Sequence, residues 1–212
     1  MKNYLVFVRH GETDWNAVKR FQGGRSDVPL NARGRIQATL IANVFLRESI
    51  ARVFSSPLQR ALHTAREIGA RLQLEAEVLE ELRELNFGAY EGVLESELEQ
   101  HYGERFLAWR QSQYTLAPPE GESIADARPR AEAALAKMTP ALSEGYVIVC
   151  AHQAIIMAMK AALAGDYSVD AAHTYRQANH EISYWDPNSE PPREERRITV
   201  SGSFAGMLAV PR

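Results

Sequence analysis

The sequence predicts an α/β fold: a three-layer αβα sandwich around a mostly parallel sheet, with a small helical cap inserted. Three observations carry this reading. Short continuous apolar runs, "LVFV" at 5–8, "VF" within "RVFSS" at 52–56 and "YVIVCA" at 146–151, have the pattern of strands buried on both faces. Between them lie segments whose apolar residues recur with the helical period, and strands alternating with helices favour parallel pairing. Residues 85–120 break that rhythm, and 90–120 are read as a cap within a single domain spanning 1–212.

Each element follows from local chemistry. Leu5–Val8 forms the first strand and ends on Arg9-His10-Gly11. A polar, glycine-rich loop runs over residues 11–30. Asn31 caps a helix to about Glu48, with Ile36, Leu40, Ile41, Val44 and Phe45 on its apolar face. After the second strand, Ser56 is the expected N-cap and Pro57 the first residue of a helix to about Leu72. That helix turns Leu58, Leu62, Ala65, Ile68 and Leu72 inward. "ELRELNFGAYEG" (81–92) is a loop, and 94–114 hold one or two helices with Leu94, Leu98, Tyr102, Phe106 and Trp109 inward. Ser123 and Asp126 form a capping box for a helix to about Leu142, which Pro129 kinks or delays. The strand 146–151 leads to a helix from about Gln153, closed by Gly165. "EISYWDP" (181–187) and "RRITVS" (196–201) are the final strands.

Composition excludes several functions. A chain of 212 residues with 45% hydrophobic and 24% charged residues is that of an ordinary globular protein with a sizeable core. A net charge of −3 with dispersed basic residues gives no electrostatic case for nucleic acid or an anionic membrane surface. The single cysteine, Cys150, permits no intrachain disulfide and no Cys-rich zinc site, which fits the cytoplasm. The apolar run Tyr4–Val8 is shorter than a signal-peptide core of roughly 7–15 residues, and nothing reaches the ~18 apolar residues of a membrane span. No His-Glu-x-x-His pair occurs, and neither a metal nor a cofactor is expected.

The chemistry concentrates at strand ends. In open α/β sheets, ligands bind beyond the carboxyl ends of the strands. Arg9 and His10 leave the first strand, Arg60 sits at the start of the helix after the second, and His152 follows the strand 146–151. Any one of these could be an ordinary structural or surface residue. Two arginines, two histidines and two helix N-termini at one edge suit a phosphate group, whose oxygens guanidinium binds bidentately.

These residues lie in words that carry a resemblance. "VRHGETDWN", "SDVPLNARG", "FSSPLQRALHTA", "LRELNFGAYEG", "PPEGES" and "VIVCAHQAII" resemble, in order, the motifs of the histidine phosphatase superfamily, the phosphoglycerate mutase-like Arg-His-Gly family. The resemblance covers about residues 3–185. It implies that His10 is a nucleophile attacking phosphorus, its other ring nitrogen fixed by backbone in the Gly11 turn. Arg9 and Arg60 would keep the ring neutral. Arg9, Arg60 and His152 would hold the phosphoryl oxygens, with Asn16 as a neutral donor and Gln22 and Gln153 as further phosphate ligands. Glu84, four residues before Gly88, would be the proton donor, with its pKa raised beside bound phosphate; Glu81 is the rival acid in "EELRE".

Three positions depart from the family pattern: Gln153 and Ala151 flank His152 where Gly and Ser or Thr are commoner, and the loop from Gln22 to Asp27 is one residue longer. The cap is short and aromatic (Tyr90, Tyr102, Phe106, Trp109, Tyr114), with only Arg105 and Arg110 adding positive charge in its helical stretch. Plain core packing also accounts for such aromatics. The expected activity is a metal-independent phosphomonoesterase acting on small phosphorylated metabolites through phosphohistidine, as monomer or homodimer. The alternatives are a cofactor-dependent phosphoglycerate mutase and a catalytically inactive phosphate-ester binding protein.

Overall fold

The computed structural model describes residues 2–200. Its elements in chain order are β1 (Leu5–Arg9), α1 (Asp14–Ala17), α2 (Ala32–Val44), β2 (Ile50–Ser55), α3 (Gln59–Leu72), β3 (Ala76–Val78), α4 (Glu95–Gln111), α5 (Arg128–Met138), β4 (Tyr146–Ala151), α6 (Gln153–Ala164), α7 (Val169–Thr174), β5 (Glu181–Asp186) and β6 (Arg193–Thr199). The strands form one sheet in the order β3-β2-β4-β1-β5-β6. The four strands β3, β2, β4 and β1 are parallel, whereas β5 and β6 add antiparallel at one edge. The register pairs Arg9 with Ala151 and Ser55 with Cys150, so β1, β2 and β4 end side by side.

Alternation along the strands divides the core. Leu5, Phe7, Val147 and Val149 pack with residues of α5 and α6 on one face. Val6, Val8, Val53, Ile148 and Cys150 pack with Ile41, Phe45, Ala65 and Ile68 on the other. Two helical layers therefore enclose the sheet, as the unbroken apolar runs require.

The local expectations met different fates. Asn31 caps α2 by accepting from Gly34 N at 2.8 Å, but the buried face of α2 is rotated. It consists of Gly34, Ala38, Ile41, Ala42 and the following Phe45, while Ile36 is 38% exposed and Leu40 and Val44 are half-buried. Ile41 and Phe45 point inward as expected, while Gly34, Ala38 and Ala42 rather than Ile36, Leu40 and Val44 complete the buried face. Helix α3 starts two residues later than Pro57, because Leu58 remains extended. Its cap is not Ser56 but Asp27 from the long loop, which accepts from Gln59 N at 2.7 Å and from Gln59 Nε2 at 3.1 Å. The Ser123–Asp126 box is formed, yet Pro129 delays regular helix to Arg128. Strand β4 and helix α6 match the expected bounds, and Gly165 closes α6 in the left-handed conformation (φ 65°). Helices α1 and α7 and strand β3 were not foreseen, and β6 begins at Arg193 rather than Arg196. Ser201, the last residue of that expected strand, lies outside the described residues.

Helix α4 bends at Gly103 (φ 47°) and buries Leu98, Phe106 and Trp109. These join Tyr90, with Phe21, Phe87, Val93 and Tyr102 packed against them, in a cluster separate from the two sheet cores. Tyr102 and Leu94 are only half-buried.

One close approach fixes the turn after β1. Asn31 N donates to Glu12 O at 3.0 Å, and Glu12 N donates to Gln37 Oε1 at 2.8 Å, which presses α2 onto the chain after His10. A Cβ on Gly34 would lie 2.0 Å from Glu12 O, a backbone atom with no room to yield. Gly34→Ala should therefore cost about 1–3 kcal/mol, measured as a lowered urea midpoint. An unchanged midpoint would show that this contact is not tight.

Candidate active site

The strand ends converge as the topology requires. His10 N donates to Ala151 O at 3.0 Å, extending the β1–β4 ladder by one residue. Gly11 N donates to Thr64 Oγ1 at 3.1 Å, and Asn179 Nδ2 donates to His10 O at 2.6 Å. The His10 backbone is thus held from α3 and from the segment before β5. Its ring Nδ1 lies 2.8 Å from Gly11 O. A carbonyl only accepts, so Nδ1 carries the proton and Nε2 keeps its lone pair.

His152 has the opposite tautomer. Its Nδ1 accepts from Arg60 Nε at 3.1 Å, and its Nε2 therefore donates to Ser56 Oγ at 2.7 Å. The two rings lie 5.1 Å apart between centroids. Both are buried, His10 at 3% and His152 at 1% exposure. Burial is the largest force pushing the His10 pKa well below the ordinary value, followed by Arg60 and then Arg9. His152 is lowered in the same way, by burial first and then by Arg60. The guanidinium groups act in the expected direction but rank second to desolvation.

Arg60 is fully buried at 0% exposure. Besides His152, its Nη1 donates to Ser26 O at 2.6 Å and its Nη2 to Gly23 O at 3.1 Å. Three of its five N–H groups are thus engaged, and two remain. Burial pulls its pKa down to about 10, partly opposed by Glu84. Arg9 donates from Nη1 to Gln153 Oε1 at 2.8 Å and to Gln177 O at 3.1 Å. Its Nε is buried without a hydrogen-bond partner, and its Nη2 has no protein acceptor among the described residues.

Glu84 sits at the start of α6. Its Oε1 accepts from Leu85 N at 3.0 Å and Ile155 N at 3.1 Å, and its Oε2 accepts from Ala154 N at 3.2 Å. Burial raises its pKa, although these N–H groups and Arg60 pull the other way. The rise expected beside phosphate is thus present in the free protein, and burial is its main cause. Glu81 faces elsewhere: it pairs with Lys137, which lowers its pKa.

Asn16 and Thr13 form a reciprocal cap on α1, at 3.1 and 3.2 Å. Thr13 Oγ1 also donates to Gln22 Oε1 at 3.1 Å. The side-chain oxygens of Asn16, Gln22 and Gln153 are each engaged by a protein donor, and their N–H₂ groups have no protein acceptor among the described residues. A cleft of about 260 Å³ is lined by these three amides together with Arg9 and Glu84, walled by Phe21, Phe87 and Trp109. Lys19, Arg20, Glu95 and Gln113 also line it. It is therefore rich in hydrogen-bond donors, as an oxyanion requires. His10, Arg60 and His152 are not among the residues lining this cleft; Arg60 is held by Gly23 and Ser26, His152 by Ser56, and the His10 ring lies beside that of His152.

The structure thus brings Arg9, His10, Arg60, Glu84 and His152 into one connected cluster, with Asn16, Gln22 and Gln153 along the adjoining cleft. Sequence reading missed the residues that hold them: Thr13, Ser56, Thr64, Gln177 and Asn179. Ser56 and Thr64 lay within "FSSPLQRALHTA" and could have been singled out; nothing local marks Gln177 or Asn179. Among the described residues no group of three or more His, Cys, Asp or Glu is placed to hold a metal ion. No helix there is long and apolar enough to cross a membrane.

Comparison with known proteins gives a consistent family. The profile of the histidine phosphatase superfamily (branch 1) matches residues 5–197. Phosphoserine phosphatase 1 of Hydrogenobacter thermophilus is 34% identical over 76% of both chains. Glucosyl-3-phosphoglycerate phosphatase of Mycobacterium tuberculosis is 34% identical over 75% of this chain and 74% of its own. A 2,3-bisphosphoglycerate-dependent phosphoglycerate mutase of Bartonella henselae is 37% identical over 59% of this chain and 63% of its own. Among solved structures, a mycobacterial glucosyl-3-phosphoglycerate phosphatase complexed with VO3 superposes with a TM-score of 0.83 at 29% identity, covering 95% of this chain and 100% of that one.

The neutral histidines make stability depend on pH with a definite sign. Below the ordinary histidine value of 6.5 the unfolded chain takes up protons that folded His10 and His152 refuse. The stability they contribute is present above that value and lost as pH falls. Thermal melts should show the melting temperature dropping on acidification from about pH 7.5 to about pH 5, less steeply in His152→Gln. Equal slopes for the two proteins would contradict the buried neutral state of His152.

Proposed function

The chain belongs to the histidine phosphatase superfamily (branch 1), and we propose that it hydrolyses small phosphomonoesters, without a metal ion, through a phosphohistidine at His10. One observation carries the assignment: the Nδ1–H to Gly11 O bond leaves Nε2 unprotonated in a buried pocket beside two arginines. Phosphoryl transfer needs positioning and charge neutralisation above all, and fixed guanidinium groups supply both.

In the first step Nε2 of His10 attacks phosphorus, the ester P–O bond breaks, and the leaving alkoxide takes a proton from Glu84. In the second, water attacks the phosphohistidine, gives its proton to the Glu84 carboxylate, and phosphate leaves as His10 is restored. Arg9 Nη2, the two remaining N–H groups of Arg60 and the amides of Asn16, Gln22 and Gln153 would supply the donors for the phosphoryl oxygens. His152 serves from behind: Arg60 and Ser56 occupy both its ring nitrogens, and it braces Arg60. Burial favours the protonated form of Glu84, the form the first step uses.

Residues 90–120 act as the cap of a single domain, with α4 supplying Trp109 to the cleft wall. Phe21, Phe87 and Trp109 give the non-phosphate part of the substrate an apolar surface, which supports a phosphatase for small organic esters. The buried, unpaired Cys150 supports a cytoplasmic setting. The mutase relative keeps a second reading in view, since Lys19 and Arg20 add positive charge to the cleft.

Release of phosphate from p-nitrophenyl phosphate in the presence of a chelator tests the proposal. Phosphate release absent, with 2,3-bisphosphoglycerate-stimulated exchange between phosphoglycerates, would indicate the mutase instead; ligand binding with neither activity would indicate a binding protein. His10→Ala should lower turnover by about 10³-fold or more, and a near-wild-type rate would remove the nucleophile assignment. For an alkyl phosphate, kcat should fall as pH rises through the elevated carboxyl range of Glu84, because the donor loses its proton. Glu84→Gln should flatten that limb and slow alkyl esters by about 10²–10⁴-fold, aryl esters much less. Equal slowing of both classes would contradict the proton-donor role.

A further inference from the structure

Next to Arg9, and outside the lining of the cleft, lies a buried polar network that the proposed chemistry does not use. The side chain of Gln177 makes four hydrogen bonds, the full number a carboxamide can form with both N–H groups donating. Its Nε2 donates to Phe7 O at 2.8 Å and to Glu181 O at 2.7 Å. Its Oε1 accepts from Lys160 Nζ at 3.0 Å and from Ser183 Oγ at 2.8 Å. The same residue's backbone oxygen is the 3.1 Å acceptor of Arg9 Nη1. Gln177 therefore ties the segment before β5 to β1, two residues upstream of Arg9, and presents the carbonyl that orients the guanidinium.

Lys160 is an unusual partner for it. It projects from α6 into the core, has 0% exposure, and pairs with Glu194 of β6 at 3.5 Å. The rings of Phe7 and Trp185 lie 5.8 and 5.9 Å from its Nζ. Burying an ammonium is costly unless it is paired and hydrogen-bonded, and a methionine would fill such a site without that cost. The charged groups that act on it are Glu194 and Arg197 of β6 and Glu181 of β5. Burial brings its pKa down to about 7, with Glu194 and Glu181 opposing and Arg197 assisting.

We propose that Lys160 and Gln177 are positioning residues for Arg9: Lys160 locks the Gln177 side chain, and the Gln177 carbonyl then holds the Arg9 guanidinium in register with the incoming phosphoryl group. The proposal rests on the reading of Arg9 as a phosphate ligand. Orientation of a charged donor can matter as much as the donor itself, since a displacement of about 1 Å costs up to about a hundredfold. Protonated Lys160 grips Glu194 and Gln177 more firmly than the neutral amine, so the grip on Arg9 loosens as pH rises through neutrality.

Steady-state kinetics with p-nitrophenyl phosphate and inhibition by inorganic phosphate test this, using Lys160→Met, Ser183→Ala and Arg9→Lys in the full chain. Ser183→Ala removes one bond to Gln177 without removing a charge, and serves if the lysine variant folds poorly. Lys160→Met and Ser183→Ala should each raise KM and the phosphate inhibition constant by about threefold to about thirtyfold, with kcat changed less. The wild-type KM should climb between about pH 6 and about pH 8, and that climb should vanish in Lys160→Met. Wild-type KM, inhibition constant and pH dependence in both folded variants would overturn the proposal, even with a lowered melting temperature. If Arg9→Lys also leaves KM and phosphate inhibition unchanged, the failure lies in the phosphate site itself.

Discussion

Everything at the strand ends depends on the burial of the Arg60 guanidinium. A fully desolvated arginine is tolerated only when its donors are satisfied, and here the three acceptors come from two separate parts of the chain. Gly23 O and Ser26 O draw the long loop after β1 over the site, and His152 Nδ1 ties in the end of β4. That last bond dictates the His152 tautomer and sends its remaining proton to Ser56. Asp27 in the same loop caps α3, the helix that carries Arg60. Loop, helix and strand end are thus fastened around one cation.

The same desolvation sets the protonation states. Water is excluded from His10, His152 and Glu84 alike, and each moves toward its neutral form. A neutral imidazole and a carboxyl that retains its proton are the two states a phosphoryl transfer to nitrogen needs at the outset. Neighbouring arginines help the histidines and oppose the glutamate, so burial is the only influence that serves all three. The backbone N–H groups at the head of α6 then hold the Glu84 carboxyl in place and temper its shift.

Much of this was legible in the sequence because it is local. Unbroken apolar runs marked β1 and β4, and the basic residues just beyond them marked the site. Backbone in the Gly11 turn was expected to fix the His10 ring, and the carbonyl of Gly11 lies 2.8 Å from its Nδ1. What escaped is non-local. Ile41 and Phe45 of the expected apolar face are buried, but Gly34, Ala38 and Ala42 take the places expected of Ile36, Leu40 and Val44, because small residues allow close helix packing. The cap of α3 lies 32 residues away at Asp27, which no reading of "SSPLQR" could find. Gln177 and Asn179 reach His10 and Arg9 across more than 160 residues of sequence, and only strand order brings them there. The helices of Asp14–Ala17 and Val169–Thr174 are too short for periodicity to register.

The central claim is that phosphorus becomes bonded to Nε2 of His10 during turnover. The direct measurement is a rapid alkaline quench during steady state, followed by peptide mass spectrometry to locate phosphohistidine. The account predicts a phosphoryl group on the peptide containing His10, formed and lost at rates no slower than turnover. Hydrolysis that proceeds with no labelled histidine, or with the label on another residue, would contradict it.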